Sequence, residues 1–117
     1  MTLSLNLLVL RCKNIDDSRL FYEKLGFKFL KEKHDAGPMY FTADVDGLVF
    51  ELYPLRENEK PDNCKLGFST ASLDSISDDL VHDKSIQLVE PVLKLHGDFV
   101  IVVKDPNGRA VEIRQKK

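Results

Sequence analysis

The chain repeats one pattern of turns, strands and helix starts at a spacing of 61 residues. The segment Asp44-Val45-Asp46-Gly47, with Glu51-Leu52 after it, corresponds to Asp105-Pro106-Asn107-Gly108, with Glu112-Ile113 after it. The same spacing aligns Leu7 with Phe68 and Ile15 with Ile76. Because turns, strands and helix starts agree in a single register, the sequence predicts two copies of one structural unit.

Each half of the chain is predicted to form a strand, a helix and three further strands. In the first half the strands are expected at 3–12, 27–33, 39–43 and 48–53, with a helix between Asn14 and Gly26. In the second half they are expected at 65–73, 86–93, 99–104 and 109–114, with a helix that begins in the polar segment 74–78. This order predicts an α+β fold in a single domain, 1–117, made of module 1 (1–54), a linker (55–63) and module 2 (64–117).

Charge and composition narrow the classes of partner. With 17 basic and 19 acidic side chains, the chain has no basic field that would attract a phosphate backbone, so we expect no nucleic-acid binding. No apolar run is long enough for a membrane span, and no secretory signal is evident, so we expect a cytoplasmic protein without a membrane partner. Cys12 and Cys64 both lie in apolar segments, which predicts two reduced core thiols.

Two segments resemble the vicinal oxygen chelate superfamily, which includes glyoxalase I, extradiol dioxygenases and bleomycin-resistance proteins. They are Ser18-Arg19-Leu20-Phe21-Tyr22-Glu23-Lys24-Leu25-Gly26-Phe27 and Asp105-Pro106-Asn107-Gly108-Arg109-Ala110-Val111-Glu112-Ile113. The resemblance covers nearly the whole chain. It implies that the two βαβββ modules form curved sheets around an open-barrel cup, and that the protein forms a homodimer.

Alternation along the predicted strands indicates which side chains face the cup, since successive strand residues point to opposite faces. On the helix side we expect Leu48, Phe50, Leu52, Gly67, Ala71, Val111 and Ile113. On the cup side we expect Leu5, Leu7, Val9, Arg11, Val49, Glu51, Tyr53, Phe68, Thr70, Ser72, Ala110, Glu112 and Arg114. The cup is therefore predicted to have an apolar floor and acidic walls.

Metal-using members of the superfamily place His or Gln on the first strand and Glu on the fourth strand of a module. Glu51 and Glu112 match the Glu positions, whereas the partner positions are Leu7 and Phe68, which have no donor atoms. Two carboxylates alone would hold a transition metal weakly, so we expect no metal and no cofactor. The histidines, His34, His82 and His96, are expected on the surface, and His96 is the nearest of them to the cup mouth by the resemblance.

The residues expected to bind ligand are Leu7, Arg11, Glu51, Tyr53, Phe68, Thr70 and Glu112. Tyr40 and Phe99 are further candidates for stacking on a flat ligand. Arg11 matches a substrate-anchoring position of glyoxalase I relatives. The cationic partner of a desolvated Glu51 or Glu112 is expected to be Arg11, Arg114 or the ligand itself.

Three functions remain open at this point. The first is a metal-free protein that sequesters a cationic or amphipathic organic molecule, as the bleomycin-resistance branch does. The second is an enzyme: a lyase or dioxygenase with a non-standard metal site, or a metal-free catalyst in which Glu51 or Glu112 is the base and Arg11 stabilises an oxyanion. The third is a scaffold module whose cup is filled by its own side chains.

Overall fold

Within residues 2–95 and 98–115, the part of the chain that the computed structural model describes, eight strands and two helices follow the order predicted from the repeat. Residues 90–95 are described by their backbone. The chain divides into two compact units, Met1–Pro61 (unit 1) and Asp62–Lys117 (unit 2). Each unit holds one four-stranded sheet and one helix, so the α+β prediction is confirmed. Neither helix is long or apolar enough to cross a membrane.

Unit 1 contains β1 (Leu7–Cys12), α1 (Ile15–Lys24), β2 (Leu30–Lys33), β3 (Met39–Val45) and β4 (Leu48–Pro54). Its sheet has the order β1-β4-β3-β2, with β1 parallel to β4 and the other neighbours antiparallel. The first two strands begin four and three residues later than the sequence predicts, at Leu7 and Leu30. The long connection from β1 to β4, which contains α1, β2 and β3, allows these two strands to run parallel.

Helix α1 begins where the sequence predicts, because the Asn14 side chain accepts a hydrogen bond of 3.1 Å from the Asp17 backbone N–H. It packs on β3 and β4 through an aromatic core. The rings of Tyr22 and Phe50 are both fully buried and lie 5.0 Å apart in an edge-to-face arrangement. This core holds the sheet against the helix on one face only.

The β3–β4 hairpin closes with a two-residue loop. Asp46 and Gly47 have φ angles of 50° and 84°, which is the pattern of a type I′ turn. This turn sets the pairing of Thr42 with Glu51 and of Asp44 with Val49. The turn thereby determines which side chains of the two strands lie next to each other.

Unit 2 contains β5 (Leu66–Thr70), α2 (Asp74–His82), β6 (Gln87–Leu95), β7 (Asp98–Lys104) and β8 (Ala110–Gln115). Its sheet has the order β5-β8-β7-β6, with β5 parallel to β8, which repeats the topology of unit 1. Helix α2 has Leu73 as its N-cap without a side-chain cap, although the sequence predicts a helix start rich in capping residues. The Ser75 hydroxyl in the first turn donates to the Ser72 carbonyl.

A buried ion cluster closes the turn between β7 and β8. The Arg109 side chain is 0% exposed, and its guanidinium donates to Asp105 Oδ2 at 3.2 Å and to Asp62 Oδ1 at 2.7 Å. Burial opposes the charge of Arg109, but the hydrogen bonds to Asp62 and Asp105 outweigh it and raise the arginine's pKa. Hydrogen bonds from Arg109 and then Cys64 hold the pKa of Asp62 far below its usual range.

The two cysteines differ in environment. Cys12 is a buried free thiol on β1, as the sequence predicts. Cys64 is also free but exposed, and it precedes β5 instead of lying in the strand, so its prediction as a core residue is wrong. The backbone N–H of Cys64 donates to Asp62 Oδ2 at 3.1 Å, which places it beside the ion cluster.

Candidate functional site

In unit 1 the face of the sheet opposite α1, called the open face here, carries the polar and aromatic side chains. Strand register puts Val9 beside Glu51, Arg11 beside Tyr53 and Thr42 beside Glu51. The alternate residues of β4, Phe50 and Leu52, are fully buried on the α1 side. The predicted assignment of the two faces of β1 and β4 is therefore confirmed for unit 1.

Tyr53 lies between Arg11 and Tyr40 on the open face. The Arg11 guanidinium carbon is 4.9 Å from the centroid of the Tyr53 ring, and Arg11 Nη1 donates to the Pro54 carbonyl at 3.4 Å. The Tyr40 and Tyr53 rings stack with centroids 4.5 Å apart and planes 7° from parallel. Since β1 and β3 flank β4 on opposite sides, Arg11 and Tyr40 approach Tyr53 from opposite sides.

His34 joins this group from the loop between β2 and β3. Its ring stacks on Tyr40 at 4.8 Å, and its Nε2 is 2.9 Å from the Tyr53 hydroxyl oxygen. The His34 and Tyr53 centroids are 6.2 Å apart, which is too short for rings on opposite faces of Tyr40. His34 and Tyr53 therefore lie side by side on one face of Tyr40.

The acidic side chains of the open face are Glu51, Asp44 and Glu32, which lies on β2 opposite Tyr40. Burial raises the pKa of Tyr53, and the negative charge of Glu51 and the neighbouring Tyr40 raise it further, so the Glu51 carboxylate acts on the tyrosine hydroxyl. Asp44 is exposed and pairs with Val49, two residues before Glu51 on the same face. Among the described side chains of unit 1, no lysine or arginine forms an ion pair with Glu51.

Apolar side chains flank the acidic ones along the edge strand β1. Leu7 is 51% exposed and Val9 is 38% exposed, and both share the face of Glu51. Leu5, in the segment before β1, is 72% exposed. The open face thus combines an exposed apolar strip, a carboxylate and an aromatic group within one sheet.

The corresponding glutamate of unit 2 has a different environment. Glu112 Oε1 lies 3.7 Å from Lys65 Nζ, and Glu112 Oε2 lies 3.5 Å from Arg114 Nε. Arg114 also contacts Asp98, at 3.3 Å. Two cationic side chains of the same unit therefore neutralise Glu112. One of them, Arg114, is among the partners expected from the sequence.

The predicted faces of β5 are wrong. Phe68 pairs with Ile113 and Thr70 with Gln115, whereas Gly67 pairs with Glu112. A Cβ built on Gly67 would lie 3.9 Å from Glu112 Oε2, which confirms that Gly67 shares the glutamate's face. Phe68 and Thr70 therefore lie on the other face, with the buried Ile113. Phe99, opposite Gln115 in β7, is on that other face too.

The residues present do not fit the metal site that the resemblance implies. Leu7 and Phe68 have no donor atoms, and Phe68 does not share a face with Glu112. Among the described side chains, those of residues 2–89 and 98–115, no three His, Cys, Asp or Glu are grouped to hold an ion. His82 lies on α2, where its Nδ1 is 2.8 Å from the Asp78 carbonyl oxygen. His96 lies outside the described residues.

Sequence reasoning missed five side chains of the open face: Leu30, Glu32, Thr42, Asp44 and His34. Thr42 and Asp44 follow from alternation starting at Tyr40, once β3 is extended to Val45. Leu30 and Glu32 then follow from their pairing with Thr42 and Tyr40. His34 is exposed, as the sequence predicts, but its contacts with Tyr40 and Tyr53 have no signal in a strand pattern because it lies in a loop.

Comparisons with known proteins identify the family. A family model described as the Glyoxalase/Bleomycin resistance protein/Dioxygenase superfamily matches residues 4–113. No curated protein sequence matches significantly. A virulence protein from Salmonella typhimurium is similar in structure, with a TM-score of 0.78, 21% identity and coverage of 100% of this chain and 99% of that chain.

Two further solved structures are similar over the same extent. An integron cassette protein from the mobile metagenome of V. cholerae has a TM-score of 0.77 and 25% identity, covering 100% of this chain and 98% of that chain. An antibiotic-binding protein from Streptomyces sp. CB03234 has a TM-score of 0.75 and 17% identity, covering 100% and 99%. Since the family model spans nearly the whole sequence, the chain belongs to the Glyoxalase/Bleomycin resistance protein/Dioxygenase superfamily.

Proposed function

We propose that this protein binds a small organic cation, without a metal and without chemical conversion, on the open face of unit 1. The observation that carries the proposal is Glu51, a half-buried carboxylate without a Lys or Arg partner among the described side chains of unit 1. A carboxylate in a partly apolar setting is stabilised by a cation that approaches it. The ligand's positive charge supplies that cation.

The surroundings of Glu51 favour an amphipathic ligand. Leu7 and Val9 offer exposed apolar surface beside the carboxylate, and Tyr53 and Tyr40 offer aromatic surface further along the sheet. Small-molecule sites combine apolar and aromatic walls with a few polar groups that set orientation. Arg11 covers one side of Tyr53, so the ligand's cation is directed to Glu51 and not to that ring.

The contrast between the two glutamates supports Glu51, and not Glu112, as the residue that recognises the ligand's charge. Lys65 and Arg114 already lie beside Glu112, so a cationic ligand would have to compete with both. The predictions that Glu112, Phe68 and Thr70 contact ligand remain untested, and their geometry in unit 2 gives them less support. The antibiotic-binding protein among the structural neighbours fits a binding function for this fold.

We also propose that the protein is a cytoplasmic homodimer. Both cysteines are free, which fits a reducing compartment. The dimer is an expectation from the family resemblance, and sedimentation equilibrium at two loading concentrations tests it directly. A mass equal to one chain at both concentrations would contradict it.

Thermal-shift measurements against organic ammonium compounds and their neutral analogues test the binding function. A compound at ten times its Kd stabilises the native state by about 1.4 kcal/mol. For a chain of this length that free energy raises Tm by roughly 6 °C. We expect shifts from cationic compounds in wild type and in Glu112→Gln, and a reduced shift in Glu51→Gln.

Zinc, nickel, manganese and iron salts form the second arm of the same experiment. A stoichiometric metal that stabilises wild type but not Glu51→Gln would overturn the metal-free part of the proposal and favour an enzyme of the superfamily. Equal shifts in Glu51→Gln and wild type for every cationic compound would contradict the role of Glu51.

A further inference from the structure

The contacts of His34 resemble those of a small aromatic molecule bound to the open face. The imidazole is exposed to solvent, stacks on Tyr40 with planes 24° apart, and is hydrogen-bonded to the Tyr53 hydroxyl at 2.9 Å. It is the one part of this aromatic group that comes from a loop, since Tyr40 and Tyr53 are fixed on neighbouring strands. The His34 imidazole can therefore move away from the Tyr40 ring without disturbing the sheet.

The loop around His34 leaves room for its side chain to fold back over the sheet, and the loop is exposed. The Gly37 backbone N–H donates to the His34 carbonyl at 3.0 Å, which closes a short turn. A Cβ at Gly37 would lie 3.1 Å from the His34 Cβ, so glycine leaves room for the histidine. Residues 34–36 are all exposed. Moving His34 thus costs little beyond its stack and its hydrogen bond.

The distance from this place to Glu51 defines the shape of a ligand. Glu51 precedes Tyr53 by two residues on the same face of β4, and Thr42, opposite Glu51, follows Tyr40 by two residues on β3. Two residues of strand span about 7 Å. A ring stacked on Tyr40 and a charge at Glu51 are therefore separated by roughly the length of a short alkyl chain.

We infer that His34 occupies, in the free protein, the place on the Tyr40 ring where the aromatic group of the ligand stacks, so that the site takes aryl-alkyl ammonium compounds by displacing His34. This inference rests on the proposed function and names its ligand class. The aromatic group of the ligand replaces the imidazole on Tyr40, and the ammonium group reaches Glu51. His34 is then a competitor of the ligand and not one of its contacts.

Tryptamine is a suitable probe because a two-carbon chain joins its indole ring to a primary ammonium group. Its Kd is measured by NMR titration at pH 8 for every variant. We expect His34→Ala to bind tryptamine about three- to tenfold more tightly than wild type, because an aromatic pair no longer has to be broken. His82→Ala, which removes an exposed imidazole of unit 2, is the matched control and should leave the Kd unchanged.

Two further substitutions make the test independent of the His34 change. Tyr53→Phe keeps the ring but removes the hydroxyl that bonds His34, so we expect binding about two- to fivefold tighter than wild type. Tyr40→Leu removes the stacking surface and should weaken binding about three- to tenfold, whereas Tyr40→Phe should not. A nuclear Overhauser effect between the Tyr40 ring and the indole protons is expected in wild type.

Weaker binding in His34→Ala and Tyr53→Phe would overturn the inference, because His34 would then be a ligand contact. Unchanged binding in both variants would overturn it as well. If tryptamine binding still depends on Glu51 in those cases, the proposed function is supported and only the inference about His34 fails. Absence of binding in wild type and in every variant would overturn both proposals together.

Discussion

The buried Arg109 of unit 2 offers the sharpest test of what stabilises that unit. Its side chain is 0% exposed, as is that of Asp105, whereas its second partner Asp62 is 53% exposed. Arg109→Met keeps most of the buried volume but removes the guanidinium. The Asp105 carboxylate then stays in the interior without the Arg109 guanidinium, while the backbone N–H groups of Asn107 and Arg109 still donate to its Oδ1.

The expected loss of stability follows from removing the cationic partner of this buried carboxylate. Removing one partner of a buried ion pair costs about 3–5 kcal/mol. For a chain of this length each kcal/mol changes Tm by roughly 4 °C, so the variant should melt about 12–20 °C below wild type. Asp62→Asn leaves the buried pair intact and changes a contact open to water, so it should cost only about 1 kcal/mol.

Urea unfolding followed by circular dichroism measures these differences. The double variant Asp105→Asn with Arg109→Met also removes the charge of the buried carboxylate and should regain part of the loss of Arg109→Met alone, which a double-mutant cycle quantifies. If the free energy of unfolding of Arg109→Met were within about 1 kcal/mol of the wild-type value, the loss would be no larger than that of an ordinary surface substitution. That result would refute the assignment of a buried, charge-bearing cluster.

Three further outcomes follow from the same structure. Because Arg109 holds the pKa of Asp62 low in the folded state, the stability this gives is complete above the unfolded pKa of about 3.9 and is lost as pH falls below it. Urea midpoints from pH 7 to pH 2 should therefore drop less steeply in Asp62→Asn. Phe50→Ala, at a fully buried ring, should cost about 3–5 kcal/mol in urea unfolding, whereas Leu20→Ala, half-exposed on α1, should cost far less. Gly47→Ala, at a φ of 84°, should cost about 1 kcal/mol in the same assay.

Much of unit 1 could be predicted from local patterns. Asn14 begins the helix as a capping residue should, and alternation along β4 separates Phe50 and Leu52 from Glu51 and Tyr53. These signals succeed because a strand with one buried face has a strict period of two. The side chains that β1 and β4 place on the open face were predictable for the same reason.

The register of β5 could not be predicted from the repeat. The spacing of 61 residues would pair Phe68 with Ala110, as Leu7 pairs with Val49, but the structure pairs Phe68 with Ile113. A shift by an odd number of residues moves every side chain of the strand to the other face. Gly67 therefore faces Glu112, and Phe68 does not.

The contacts of loop and turn residues also could not be predicted from the sequence. His34 reaches Tyr40 and Tyr53 through a turn whose side-chain direction follows no strand or helix period. Arg109 was expected to begin β8, but its side chain turns inward to Asp105 and Asp62. Such contacts join residues that only the folded backbone brings together.

The charge selectivity of the open face is the most direct measure of the central proposal. Isothermal titration compares tryptamine with its neutral alcohol analogue, tryptophol, in wild type and in Glu51→Gln. If Glu51 binds the ligand's cation, wild type should prefer tryptamine by roughly tenfold, equivalent to about 1.4 kcal/mol, and Glu51→Gln should lose the preference. An equal preference in wild type and Glu51→Gln would contradict the account.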